Sequence, residues 1–220
     1  MKKLIIILPL LFFLNCKERQ KEDKEAKYEV IQTLYNYITK YHAHILAFPV
    51  SPPDPKIESD SLQKILERDK EIIKDTTKIV NSYLEKEGRS VVCIDKKQSP
   101  SIDLSKRSIP SCITKNFDSL YNDFIKIKGT QTLDLTNLKD NRYSVIIPYH
   151  DYYPEMSNKG FDKCDMVLTF SRIAFNKEES KAIVIMATNF GRLNGFSALY
   201  FLEKEKGKWK IKCREGLSIS

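Results

Sequence analysis

The chain has 220 residues, 41% hydrophobic and 30% charged, with 37 basic and 29 acidic side chains and a formal net charge of +8. That length suits one domain with a sizeable core, and no internal repeat of useful period is present. Its longest apolar run, Leu4 to Leu14, is too short for a membrane span, which needs about 20 apolar residues.

The N-terminus reads as an export signal. Lys2 and Lys3 precede the apolar LIIILPLLFFL, and Cys16 follows directly after Asn15. This resembles the lipobox of bacterial lipoproteins, with Asn15 where that pattern prefers Gly, Ala or Ser. The resemblance implies a signal peptide over 1–15, cleavage before Cys16 and lipidation of its thiol. Several acyl chains would hold the mature chain at a membrane, at about 0.8 kcal/mol per buried methylene. Loss of Lys2 and Lys3 brings the formal charge to +6. In an envelope location this is ordinary solubility charge, and nucleic acid is not an expected partner.

Residues 17–27 (KERQKEDKEAK) are nearly all charged, which predicts a flexible tether. A single domain is expected over 28–220. Val30, Ile31, Leu34, Ile38, Tyr41 and Ile45 recur at helical spacing and predict a helix from Tyr28 that stops before Pro49. His42 and His44 point to different sides of it, so they cannot share a metal. A proline-rich connector follows, then a second helix over 61–86 ending at Gly88. Arg89 to Asp95 predicts a strand, and 96–111 a loop. Phe117, Leu120, Tyr121, Phe124 and Ile125 predict a third helix, capped by Thr114 and ended by Gly129. Tyr143 to Ile147 predicts another strand.

The region from Asp165 to Cys213 predicts four consecutive strands, MVLTFSRIAFN, KAIVIMATN, ALYFLEK and KWKIKC. Turns this short can only reverse the chain, so the strands form an antiparallel meander. The Lys181–Asn189 strand is apolar on both parities and should be interior. Trp209, Ile211 and Cys213 alternate with Lys208, Lys210 and Lys212, so that strand has one dry face and Trp209 should be buried. Together these elements give an α+β class: N-terminal helices packed on a curved antiparallel sheet ending in a four-strand meander. The element order is similar to cystatin-like and NTF2-like folds.

Besides Cys16, four cysteines remain: Cys93, Cys112, Cys164 and Cys213. An exported chain is in a disulfide-permissive compartment. The four are either free, buried thiols or disulfides, and if disulfides form the expected pairs are Cys93–Cys112, across a flexible loop, and Cys164–Cys213, if the sheet curls. No CxxC or other metal motif occurs, so no metal or cofactor is implied. The catalytic motifs HExxH, GxSxG, the phosphate-cradling P-loop and a helix-opening GxGxxG are all missing from the sequence, and no catalytic residue is assigned. The candidate pocket residues are His150 and Tyr152, in an aromatic loop beside Asp151, and Arg172, a lone charge in an apolar strand.

The segment FSRIAFNKEESKAIVIMA, a Gly-x-x-x-Gly turn and ALYFLEKEKGKWKI resemble the C-terminal module of a loose group of small exported bacterial proteins. That group carries no assigned function, so the resemblance implies no catalytic residues. The resulting expectation is an envelope-anchored lipoprotein that binds a protein or small-molecule ligand without chemistry. The alternative is a hydrolase-like enzyme with a pocket at the mouth of the curved sheet.

Overall fold

The computed structural model describes residues 7–47, 80–100, 104, 117–149, 164–191 and 194–219, with backbone alone at 7–24, 45, 47 and 191. In chain order the elements are α1 (Ile7–Ala47), a short helix α2 (80–87), β1 (Ser90–Asp95), β2 (Lys97–Gln98), α3 (Asp118–Phe124) and β3 (Gln131–Thr132). A 3-10 turn at Leu135–Asn137 leads to β4 (Ser144–Tyr149), β5 (Met166–Phe170), β6 (Ala174–Phe175), β7 (Lys181–Gly191), β8 (Asn194–Glu205) and β9 (Lys208–Ile219).

The predicted meander is present. β5, β7, β8 and β9 lie side by side, each antiparallel to the next. Its first strand is broken at Ser171–Ile173, and β5 and β6 both pair with β7. The wider sheet corrects the purely antiparallel expectation. Its seven described strands run β4-β1-β5-β7-β8-β9, with β6 also on β7, and β1 is parallel to both β4 and β5. The connections from β1 to β4 and from β4 to β5 are long enough to bring the chain back in the same direction, which short turns cannot do.

β7 is buried on both faces, as its sequence predicts. Ala182, Val184 and Met186 face α1, packing with Val30, Ile31, Leu34, Tyr35 and Ile38. Ile183 and Ile185 face the other way, toward Leu104 and the α3 residues Leu120, Tyr121 and Phe124. The third helix thus covers the side opposite the first. Trp209 is buried on the α1 side, while Lys208 and Lys210 are exposed. Gly88 has φ +83 and donates its N–H to the Leu84 carbonyl, the left-handed helix stop that favours glycine.

α1 differs from expectation at both ends. Its backbone is helical through 17–27, where a flexible tether is expected, and the Lys, Glu, Gln and Ala of that stretch are strong helix formers. Among the described side chains the first buried one is Ala26. Near its C-terminal end His42 is buried while Tyr41 is 52% exposed. A 3.6-residue period carries the buried line from Ile31 through Tyr35 and Ile38 to His42, so Tyr41 falls beside it. The signal-peptide side chains, those of 61–79 in the second predicted helix and the Thr114 cap lie outside the described residues.

Candidate functional site

Of the predicted pocket residues, His150 and Tyr152 lie outside the described residues. Arg172 occupies the break between β5 and β6. Its backbone N–H donates to the Ser99 carbonyl at 2.7 Å, and its Nη1 donates to the Lys128 carbonyl at 3.1 Å. It therefore ties the strand break to the segment after α3.

Both expected disulfides are corrected. Cys93 is bonded to Cys164, with Cα atoms 5.7 Å apart. The cause is the parallel β1–β5 pairing, which sets Cys93 opposite Val167, just past Cys164. Cys213 is also disulfide-bonded. Cys112 and the side chain of Cys16 lie outside the described residues.

A different set of residues converges at the far end of the α1–sheet interface, and it begins with how α1 is held. Along one side a polar seam pins the helix to 134–144. Asn141 Nδ2 donates to Thr39 Oγ1 and Asn36 Oδ1 at 2.9 Å each. Gln32 exchanges two hydrogen bonds with the Lys139 backbone. Tyr35 Oη lies 2.7 Å from Ser144 Oγ. Near the start of the packed helix, Glu29 Oε2 accepts from Trp209 Nε1 at 3.0 Å and from Lys204 Nζ at 2.9 Å. These bonds fix the rotation of the helix about its axis.

With that rotation fixed, one line of α1 passes from buried to open. Val30 and Leu34 are fully buried against the sheet. Tyr37 and Tyr41, each seven residues further along nearly the same line, are 41% and 52% exposed. Beneath them lie the distal ends of β7, β8 and β9. Tyr37 meets the ring of buried Tyr200 edge-on at 6.3 Å. His42 stacks on Phe190 at 5.0 Å, and Phe190 lies 6.3 Å from Phe196. Arg214, opposite Tyr200 in the β8–β9 register and exposed, sets its guanidinium 4.8 Å over the Phe196 ring. Thr188 stands opposite Phe196 on β7. Gly195 lets the strands approach there: a Cβ would meet the Asn189 side chain and, at 2.9 Å, the Thr188 carbonyl.

Two hydroxyls at this end are fully buried with no partner in full hydrogen-bond geometry among the described residues, Thr188 Oγ1 and Tyr200 Oη. An unsatisfied buried polar group costs about 1–3 kcal/mol, and native proteins keep few of them. Burial pushes the Tyr200 phenol up to about 12, with Arg214 opposing the rise through its charge and as a hydrogen-bond donor, and Tyr37 adding to it. Arg214 is thus the group that approaches the phenol oxygen, as a donor short of full hydrogen-bond geometry, so the phenol's own proton has no acceptor among the described residues. At neutral pH this phenol is a proton donor.

Burial lowers the pKa of His42 from its ordinary range, against a weaker upward pull from Asp165. His44 is lowered by burial and by Lys40 and Arg142. As pH falls from about 6.5, the unfolded chain takes up these protons before the folded one does. Stability from His42 is therefore complete above that pH and is lost as pH drops through the folded pKa. The thermal midpoint should fall between about pH 7 and pH 5, and His42→Phe should make that fall shallower. An unchanged slope in the variant would assign the dependence to other groups.

Sequence reasoning assigned none of these residues to a site. Thr188, a polar residue at a buried parity of an apolar strand, was the available signal. No protein-family model, curated protein or solved structure matches this chain.

Proposed function

We propose that the protein is an envelope lipoprotein whose folded domain binds a small ligand, without chemistry, at the open end of the α1–sheet interface. The observation that carries this reading is the pair of unpartnered buried hydroxyls, Thr188 and Tyr200, beneath exposed aromatic side chains. Concave, mostly apolar sites with a few placed polar groups are where proteins hold small molecules.

A neutral fluorescent dye, N-phenyl-1-naphthylamine, tests the reading. Wild type should bind it saturably at one site. Tyr37→Ser and Tyr41→Ser, exposed positions whose loss spares the core, should together weaken binding about tenfold, or about 1.4 kcal/mol. Equal binding by the wild type and a double variant of unchanged melting temperature would refute this location.

Attachment through Cys16 belongs to the same proposal. The Cys93–Cys164 bridge supports an oxidising compartment. In cells, Cys16→Ala should abolish incorporation of labelled palmitate and release the protein from the membrane fraction. Retained label would end the lipidation reading.

A further inference from the structure

We infer that the ligand of this site is an aromatic monoanion, its ring against Tyr37, Phe190 and Phe196 and its acidic group held by Arg214 and Tyr200. The inference rests on the binding reading above and specifies its chemistry. Three observations favour an acid. First, the cations of β9 divide into two kinds. Lys210 and Lys212 pair with Glu205, and Lys212 also approaches Glu203 at 4.0 Å. No carboxylate among the described residues pairs with Arg214. Its only described ring contact is the face of Phe196, which leaves the edge of the guanidinium for an acceptor. A planar guanidinium matches a planar or tetrahedral oxyanion through two parallel hydrogen bonds.

Second, the polar groups around Arg214 complement an acceptor. The Tyr200 phenol keeps its proton at neutral pH; Arg214 approaches its oxygen as a donor, and no acceptor among the described residues takes its proton. A hydroxyl donor beside a cation is suited to an oxyanion, which carries acceptor sites and no donor. Third, the surrounding walls are ring faces and edges. Phe190 and Phe196 are half-buried, and Tyr37 closes over Tyr200 at 6.3 Å. Such rings favour offset or edge-on packing with a flat partner, at about 0.5–1.5 kcal/mol per pair beyond simple burial. An aliphatic cation would lie against Arg214 and be repelled.

The test compares two dyes of one skeleton. 8-Anilinonaphthalene-1-sulfonate carries a sulfonate that N-phenyl-1-naphthylamine lacks. Wild type should bind the sulfonate at least tenfold tighter than the neutral dye, with each displacing the other. Arg214→Gln should remove that preference, bringing the ratio of the two dyes' affinities to about one. Arg214→Lys should restore part of it, because charge returns without the planar fork. Equal affinity of wild type for the two dyes, or a preference that survives Arg214→Gln, would overturn the acidic-group inference while the binding site stands. Failure of both dyes to bind would overturn the binding reading itself.

Discussion

Trp209→Ala should be among the most damaging single substitutions in this protein, lowering unfolding stability by about 3–5 kcal/mol. Trp209 is buried to 6% exposure in the cluster that joins α1 to the sheet. Its ring lies 5.9 Å from that of Phe175, so truncation opens a void between β9 and β6. The indole N–H also bonds Glu29, which Lys204 holds from the other side. Both partners are partly exposed, so water replaces most of that hydrogen bond and the loss is dominated by packing. Trp209→Phe should recover more than half of the deficit. Denaturant unfolding measures both. A loss below about 1 kcal/mol for the alanine variant would mean that β9 does not close the core.

Removing the Cys93–Cys164 bridge should have a comparable effect. It joins residues 71 apart, and a loop of that size gives about 4 kcal/mol of stabilisation through lost freedom in the unfolded chain. It also clamps one of the parallel pairings of the sheet, that between β1 and the start of β5. The double substitution Cys93→Ala/Cys164→Ala leaves no stray thiol and isolates the effect from the disulfide of Cys213. It should lower the denaturation midpoint substantially while the meander still forms. Non-reducing peptide mapping should recover a Cys93–Cys164 linked peptide. A Cys93–Cys112 peptide would contradict the sheet order, because it would draw β1 away from β5.

Which parts of the fold could be read from the sequence follows from the range of the signals. The meander was legible because each strand carries its own apolar run and each reversal is a few residues long. The two-sided apolarity of β7 was legible, and the lysine alternation placed Trp209 and Ile211 correctly on the α1 side, but a β-bulge where β9 passes Phe201 and Leu202 turns Cys213 to the opposite, α3 side. The parallel pairs were not legible. β1 finds β4 and β5 across long connections, and no local pattern in SVVCID names a partner. The wrong disulfide pairing follows directly, since Cys93 was set against a near neighbour in sequence. On α1 the small mismatch between a seven-residue repeat and the helical period moved the buried line from Tyr41 to His42. The residues of the proposed site were hidden for a related reason. Phe190, Phe196 and Tyr200 read as ordinary strand residues, and their grouping appears only where the helix above them turns its tyrosines outward. His150 drew attention because histidine beside carboxylate is a familiar chemical pairing, whereas an unpartnered tyrosine hydroxyl has no sequence signature.

The most direct measurement is a crystal structure of the protein soaked with 8-anilinonaphthalene-1-sulfonate. The naphthalene ring should lie against Phe190 and Phe196, with its sulfonate within hydrogen-bond distance of the Arg214 guanidinium and Tyr200 Oη. Density for the dye elsewhere, with the Tyr200 and Thr188 hydroxyls each bonded to a protein group, would contradict a ligand site at this end of the sheet.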